Sequence, residues 1–509
     1  MKKLLTVVIC LLFIKVGIAQ TIPTFNKIYS DTGVLSGGVN ITSLNDSIYF
    51  SIYTQDTSSS YQYIDFIKTA PNGTEAARLK VKRPGYSYSP GYTGSLRMTS
   101  DGYLICGGNS GPLTGVGSGT FFKIDRSALD TLYVKYYRNP GEGADFFGFG
   151  ELSDGNYLFA GREGDSTSPE GYDSAWMVKT DTGGNELWQK SMVSDVYNSA
   201  VFVSPFQGGY YQWWATAQPI TLSGNPADSA IFVDRYDNNG NLEWRDTFGI
   251  VGNDNTAGPF TGLKDGGGII IVNILDTTGF QYGPMTFSKF DSNGVILWRH
   301  YISQPTQLSS ITETRSGSIV ACGGGAGYPI GVNGDTANRY RGDIIKFDKN
   351  GNVVFYQVYE YDTLGYDGLA DITETSDGGY ACVGNAFHPV GSQYVQAAWL
   401  LKVDSNGCLN GDCPTLYTGI KDIPSLEEFF VFPNPASSQF TVALAGPNDI
   451  YQYHDLKFSL YDLTGRLVTE QLITAQTTII QRGDLSNGLY IWSLSDEANQ
   501  LRNGKMVFK

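Results

Sequence analysis

The sequence predicts an all-β chain, a seven-bladed β-propeller followed by a small Ig-like β-sandwich. Three observations carry this. A two-part unit recurs seven times along the first four-fifths of the chain. Turn signals separate short runs rich in Val, Ile, Tyr, Phe and Trp, as in strands joined by hairpins. No long segment shows a helical period with caps at its ends.

The first half of the unit is a Ser-Asp-Gly turn, an apolar strand and a closing Gly. It is clearest from Ser376, Asp377 and Gly378 through Tyr380 to Gly384. Copies begin at Ser100-Asp101-Gly102, Ser153-Asp154-Gly155, Gln207-Gly208-Gly209, Asp265-Gly266-Gly267 and Ser316-Gly317-Ser318, and a degenerate one runs from Leu44 to Tyr49. The second half is an apolar strand ending in Lys-x-Asp, a turn, and a strand carrying an aromatic. It runs from Lys179 to Trp188, Arg235 to Trp244, Lys289 to Trp298 and Lys346 to Phe355. Asp-Gly, Gly-Gly and Asn-Gly supply the positive φ of tight hairpin turns, so each half is a hairpin. Four strands per unit at a period of roughly 50–60 residues suit a propeller blade; a β-helix repeats faster and a row of sandwiches more slowly.

The seventh unit has its third strand, Ala398 to Asp404, but no aromatic fourth strand follows it. A spare strand at 24–30 precedes the first turn. It is expected to pair with the last blade and hide the edge that an open ring would expose. Residues 20–413 are therefore expected to form the propeller, 414–427 a linker and 428–509 a second domain.

Of the 509 residues, 41% are apolar and only 17% charged, with 62 Gly and 33 Tyr. That composition fits a turn-rich extracellular protein. A formal charge of −15 argues against nucleic acid and against anionic membrane surfaces. Residues 1–19 read as a secretory signal peptide: Lys2 and Lys3, an apolar run from Leu4 to Ile14, and Gly17-Ile18-Ala19 ahead of Gln20. The run is short for a membrane span, and no other stretch suggests one. Bulky Ile9 before Cys10 argues against lipidation. Cys106, Cys322 and Cys382 lie on the second strands of three different blades, expected to be too distant for pairing, and read as buried small hydrophobes. Cys408 and Cys413 are close together in an exported chain and are expected to form a disulfide.

After the linker, strands are expected at 429–432, 440–445, 456–462, 466–475, 478–482, 488–494 and 505–508, a small antiparallel sandwich. Four motifs punctuate them. These are Phe432-Pro433-Asn434-Pro435-Ala436, Leu460 to Gly465 and Arg466, Leu485 to Gly488 with Tyr490 and Ile491, and Gly504-Lys505 to Lys509. In this order they resemble the type A C-terminal sorting domain of type IX secretion substrates. The resemblance implies export to the periplasm, recognition of this domain by the outer-membrane machinery as partner, and a secreted or cell-surface cargo. It implies nothing about what the cargo does.

Residue chemistry was tested against several functions. Only three His are present: His454 in the last domain, His300 on an outer strand and His388 in an expected loop near the ring mouth. None accompanies a nucleophile elbow. The Asp-x-Asn-Gly turns share oxygen spacing with calcium loops but lack the downstream Glu, so turn capping is the reading and no metal is expected. Glu151, Glu313 and Glu374 could be carboxylates of a glycoside-cleaving site, yet they recur with the blade period, which suits architecture. The repeated turn and Trp loosely resemble the blade signature of quinone-cofactor dehydrogenases. Seven units rather than eight, and no recognisable cofactor site, leave shared architecture and no expected cofactor. Tyr86, Tyr88 and Tyr92 read as an exposed loop and, with Trp213 on a strand, are the candidate ligand contacts. The leading expectation is a non-catalytic scaffold for protein or glycan. The competing one is an extracellular carbohydrate-active hydrolase or lyase with carboxylates at the mouth. Convergent acids there would favour the enzyme; a mouth of Tyr, Ser and Gly would favour binding.

Overall fold

In the computed structural model of the chain, residues 23–509 are described except for 32–33, 57–60, 93, 114, 165–172, 193–197, 217–230, 249–254, 276–281, 303–306, 326–340, 362–366, 391–392, 412, 414–428, 433–434, 445–455, 475–476 and 497–498. The expected signal peptide and linker lie outside the described residues. Every regular element among the described residues is a β-strand.

Seven antiparallel sheets precede the C-terminal region. Sheet 1 holds Val34–Leu44, Ser47–Asp56, Gln62–Thr69 and Glu75–Val81. Sheet 2 holds Leu104–Pro112, Ser118–Asp125 and Asp130–Tyr137, with two short strands, Tyr86–Pro90 and Leu96–Met98, sharing the first position. Sheet 3 holds Ala144–Glu151, Tyr157–Gly164, Asp173–Thr180 and Glu186–Met192; sheet 4 holds Asn198–Phe206, Gly209–Thr216, Ile231–Asp237 and Leu242–Phe248. Sheet 5 holds Asn255–Gly262, Gly268–Leu275, Tyr282–Phe290 and Ile296–Ile302; sheet 6 holds Gln307–Glu313, Ile319–Gly325, Arg341–Phe347 and Val353–Tyr359. Sheet 7 takes Gly368–Glu374, Tyr380–Val390 and Gln393–Val403 from the end of this region, and its fourth strand is Phe25–Tyr29. That strand lies antiparallel to Ala398–Lys402, and the Trp399 indole donates to Asn26 Oδ1 at 2.5 Å.

The first strands of consecutive sheets touch, from sheet 1 through sheet 7 and back to sheet 1. A separate apolar core fills each gap between neighbours. Strand Tyr157–Gly164 shows why the strands read as continuous apolar runs. Tyr157 and Phe159 point into the core shared with sheet 2, and Leu158 and Ala160 into the core shared with sheet 4. Successive side chains of a strand leave on opposite faces, and here both faces are covered.

The structure corrects three sequence expectations. Tyr86 to Tyr92 is not one loop: Tyr86–Pro90 is a strand paired with Gly108–Pro112, and Tyr88 is buried against Phe122. Tyr86 and Tyr88 are two residues apart and so share one face of the strand, the one turned to the core between sheets 1 and 2. His388 is on a strand, opposite Val395, not in a loop. Cys322 and Cys382 are fully buried thiols, but they belong to neighbouring sheets and share one core, rather than lying far apart.

The C-terminal region forms two sheets. One holds Phe429–Phe432, Gln439–Leu444 and Thr477–Gln481; the other runs Leu467–Leu472, Leu456–Tyr461, Gly488–Asp496 and Asn499–Phe508. Phe440 and Ile480 from the first sheet pack with Phe458, Trp492, Met506 and Phe508 from the second.

Candidate ligand site

The residues that recur in the sequence tie sheets together. In four sheets the Lys of Lys-x-Asp reaches back to the Asp of its own sheet's turn. Lys123 meets Asp101 at 2.8 Å, Lys179 meets Asp154 at 2.5 Å, Lys289 meets Asp265 at 3.1 Å and Lys402 meets Asp377 at 3.1 Å. Several also donate onward to a carbonyl in the next sheet's turn: Lys123 to Thr182, Lys179 to Asn238 and Lys346 to Ser405. Burial alone would raise the Asp377 carboxyl, but hydrogen bonds from Thr375 and Gly379 and the Lys402 charge hold it below the ordinary range. The Asp of each Asp-x-Asn-Gly turn is satisfied within its own loop. Asp348 accepts from the backbone N–H of Asn350 and Asn352 at 2.8 and 2.9 Å, as Asp237 and Asp404 do in theirs. These aspartates cap turns.

The three glutamates have a shared job. Glu151 accepts from Ser100 N–H at 2.8 Å, Glu313 from Lys264 N–H at 2.8 Å and Glu374 from Arg315 N–H at 2.7 Å. Each carboxylate on one sheet holds the turn of the sheet before it. Between sheets 7 and 1, Ser376 donates to Asp46 at 2.9 Å. The fourth strands do the same: Tyr137 donates to Gly184 O, Tyr359 to Gly407 O and, from the N-terminal strand, Tyr29 to Gly73 O.

The first strands surround a cavity of about 730 Å³, within the range of small-ligand pockets. Six of these strands break register at a corresponding place. The breaks fall between Gly38 and Asn40, Phe146 and Gly148, Ser199 and Phe202, Ala257 and Phe260, Leu308 and Ser310, and Leu369 and Asp371. In sheet 2 the segment between its two short first strands takes that place. A bulge inserts an unpaired residue and re-aims its side chain. Val39, Pro259, Ser309 and Ala370, all at such breaks, line the cavity.

One wall is aromatic. Tyr92, 58% exposed, packs on Phe147 at 5.0 Å and Phe202 at 6.3 Å between ring centres. The rest of the lining includes the polar side chains of Thr42, Gln307, Ser309, Thr312, Thr373 and Asn385. Among the described lining residues Arg97 is the one charged side chain. Behind it lies Asp371, 1% exposed, with Oδ2 at 4.0 Å from Arg97 Nη1. The Asp371 carboxylate accepts from Ile41 N–H and Gly94 N–H on one oxygen, and from the Ser310 hydroxyl and Ile372 N–H on the other. Burial pushes this carboxyl up, against the Arg97 charge and those donors.

Of the expected residues whose side chains are described, Tyr92 alone is on the cavity wall. Tyr86 stacks under the Arg83 guanidinium at 4.0 Å, and Tyr88 faces the Tyr136 hydroxyl at 3.4 Å. Trp213 is on strand Gly209–Thr216, and its side chain lies outside the described residues. Cys408 and Cys413 are disulfide-bonded. Arg97, Asp371 and the bulge residues were missed. Their identities differ from sheet to sheet, so repeat analysis has no signal for them.

In the C-terminal region Gly465 takes φ +84° in the turn capped by Asp462, whose carboxyl the Thr464 hydroxyl and turn N–H groups hold down at about 2. Gly488 opens its strand at φ +153°, and the Tyr490 hydroxyl donates to Ser486 O at 3.0 Å. Pro435 and Lys505 are exposed; Pro433 and Asn434 lie outside the described residues. The first and last motifs meet, because Ala436 N–H donates to Val507 O at 2.8 Å and Lys509 N–H to Ala436 O at 3.0 Å.

No curated protein sequence matches the chain. Among solved structures, similar ones include a protein of unknown function from Bacteroides caccae at 13% identity and TM-score 0.34, covering 66% of this chain and 97% of that one. Quinohemoprotein alcohol dehydrogenase from Comamonas testosteroni is 10% identical with TM-score 0.40, covering 76% of each chain. The polysaccharide lyase Uly1 is 10% identical with TM-score 0.42, covering 72% of this chain and 90% of that one. At these scores none of them bears on fold or function here. The C-terminal region does match a family, over residues 430–509. Those residues are a secretion system C-terminal sorting domain, of the kind that marks type IX substrates for secretion to the cell surface.

Proposed function

We propose that the secreted chain is a seven-bladed β-propeller, closed by its N-terminal strand, that binds a small glycan in its central cavity without chemically altering it. The cyclic order of first-strand contacts and the seven inter-sheet cores support the ring. In this reading the C-terminal sandwich is an Ig-like type A sorting domain that hands the propeller to the type IX machinery. The observation that carries the binding role is the cavity lining: an aromatic wall, hydroxyl and amide groups, and one arginine. Aromatic faces suit sugar rings, and side-chain hydroxyls and amides match sugar hydroxyls. Glu151, Glu313 and Glu374, the carboxylates of the enzymatic alternative, are each engaged by a neighbouring turn.

A glycan array probed with residues 20–509, read for retention and for released product, tests this. Retention of a saccharide without product is expected, and Tyr92→Ala should abolish it. Product release would overturn the non-catalytic role. Silence on every glycan would overturn glycan binding.

A further inference from the structure

We propose that the cavity selects saccharides ending in a carboxylate-bearing sugar, a uronic acid, with the sugar ring on Tyr92 and the carboxylate on Arg97. This rests on the binding role proposed above and adds its chemical class.

The Arg97 side chain is 45% exposed, and it lines the cavity. Among the described residues only its Nη1 is engaged, by Leu96 O at 3.2 Å and by Asp371 at the longer distance of 4.0 Å. Asp371 cannot fold over the guanidinium to quench it, because both its oxygens are held by two donors each. It therefore anchors Arg97 from behind and leaves the rest of the planar fork toward the cavity. That fork matches a carboxylate bidentately.

The second element is the platform, an exposed Tyr92 held from behind by Phe147 and Phe202. The third is the set of hydroxyl and amide groups in the lining, among them Thr42, Ser309 and Thr373. A stacking face, hydroxyl partners and a carboxylate receptor together describe an acidic sugar better than a peptide end. A peptide carboxylate would use Arg97 but has no ring of hydroxyls for the Ser and Thr side chains. The net charge of −15 repels polyanions at long range, so a short saccharide with one carboxylate end fits better than a densely sulfated chain.

The test is calorimetric titration of residues 20–509 with three probes: a glucuronate-terminated disaccharide, the same disaccharide with that carboxyl reduced to the alcohol, and a short peptide with a free C-terminus. The acidic disaccharide is expected to bind about tenfold or more tighter than its reduced form, the worth of one charge-assisted contact. Arg97→Gln should erase that preference by weakening the acidic disaccharide far more than the reduced form, and Arg97→Lys should restore part of it. Tyr92→Ala, at an exposed site, should weaken both sugars alike. Thermal unfolding of each variant checks that Asp371 has not been left to unfold the ring. Equal binding of the two sugars, indifferent to Arg97→Gln, would overturn the uronate assignment and leave the binding role standing. Binding of the peptide alone would overturn the assignment to sugars. Binding of none of the probes, together with a silent array, would overturn both readings.

Discussion

Gly378 and Gly407 both lie in the left-handed region, at φ +84° and +79°, but they differ in what a methyl group would meet. At Gly378 an added Cβ has no neighbour within 4 Å, whereas at Gly407 it strikes the Phe355 ring at 2.8 Å. Gly378→Ala should therefore cost only the backbone term, about 1–2 kcal/mol. Gly407→Ala should cost more, since it also displaces the aromatic that docks sheet 6 on sheet 7. Denaturant midpoints of the two variants check the order. Lys402 is fully buried and Asp377 nearly so, so Lys402→Met leaves a buried carboxylate unpaired and should cost about 3–5 kcal/mol.

Acid sensitivity follows from the same pairs. The carboxyls of Asp101, Asp154 and Asp377 are held below their ordinary range: burial opposes this, and their Lys partners and turn donors outweigh it. A depressed folded pKa gives stability that is present above the unfolded value near 4 and lost as pH falls through the folded one. Asp371 has the opposite sign, because burial raises it, and its contribution declines as pH rises from about 4 toward its folded value. Burial raises Asp65 likewise, but the turn aspartates Asp181, Asp237 and Asp348 join the depressed group, so unfolding temperatures should fall between about pH 4 and pH 2, and Asp377→Asn should show a shallower fall. A flat profile would contradict this assignment of the turn aspartates.

At the level of strands, the segment Phe25–Tyr29 has the clearest consequence. It covers the outer edge of sheet 7, and its Phe25 packs where a side chain on Gly73 of sheet 1 would stand. Removing residues 20–30 would expose the Ala398–Lys402 edge and uncouple sheets 7 and 1. Such a protein should associate through that edge, and size-exclusion chromatography would show it. The strands and turns were legible in the sequence because each depends on local chemistry, such as Asp-Gly at a hairpin or apolar runs between. The spare N-terminal strand was legible because the seventh unit lacked its fourth. The two short first strands of sheet 2 were not, since Pro90-Gly91 and Gly94 make Tyr86 to Gly94 read as a loop. Nor was the cavity wall. Bulges at Val39, Phe147, Ser309 and Ala370 share a position but no residue type, and the Arg97–Asp371 contact joins residues from sheets 2 and 7.

In the molecule as a whole, periodic and non-periodic residues divide the work. Lysines, aspartates, glutamates and aromatics that recur join neighbouring sheets, and the residues that do not recur build the cavity. The sorting domain is a separate layer of information, carried by residues 430–509. Its removal should keep the cargo from the cell surface without altering saccharide binding, which surface labelling and titration would check together.

The most direct measurement compares two variants on one glycan array, with retention and product release read side by side. One is Tyr92→Ala; the other replaces Glu151, Glu313 and Glu374 together by Gln. The account predicts that Tyr92→Ala loses retention and that the triple variant keeps it, though less stable, with no product from either or from the parent. Product from the parent that disappears in the triple variant would contradict it, and would make the glutamates catalytic rather than ties between sheets.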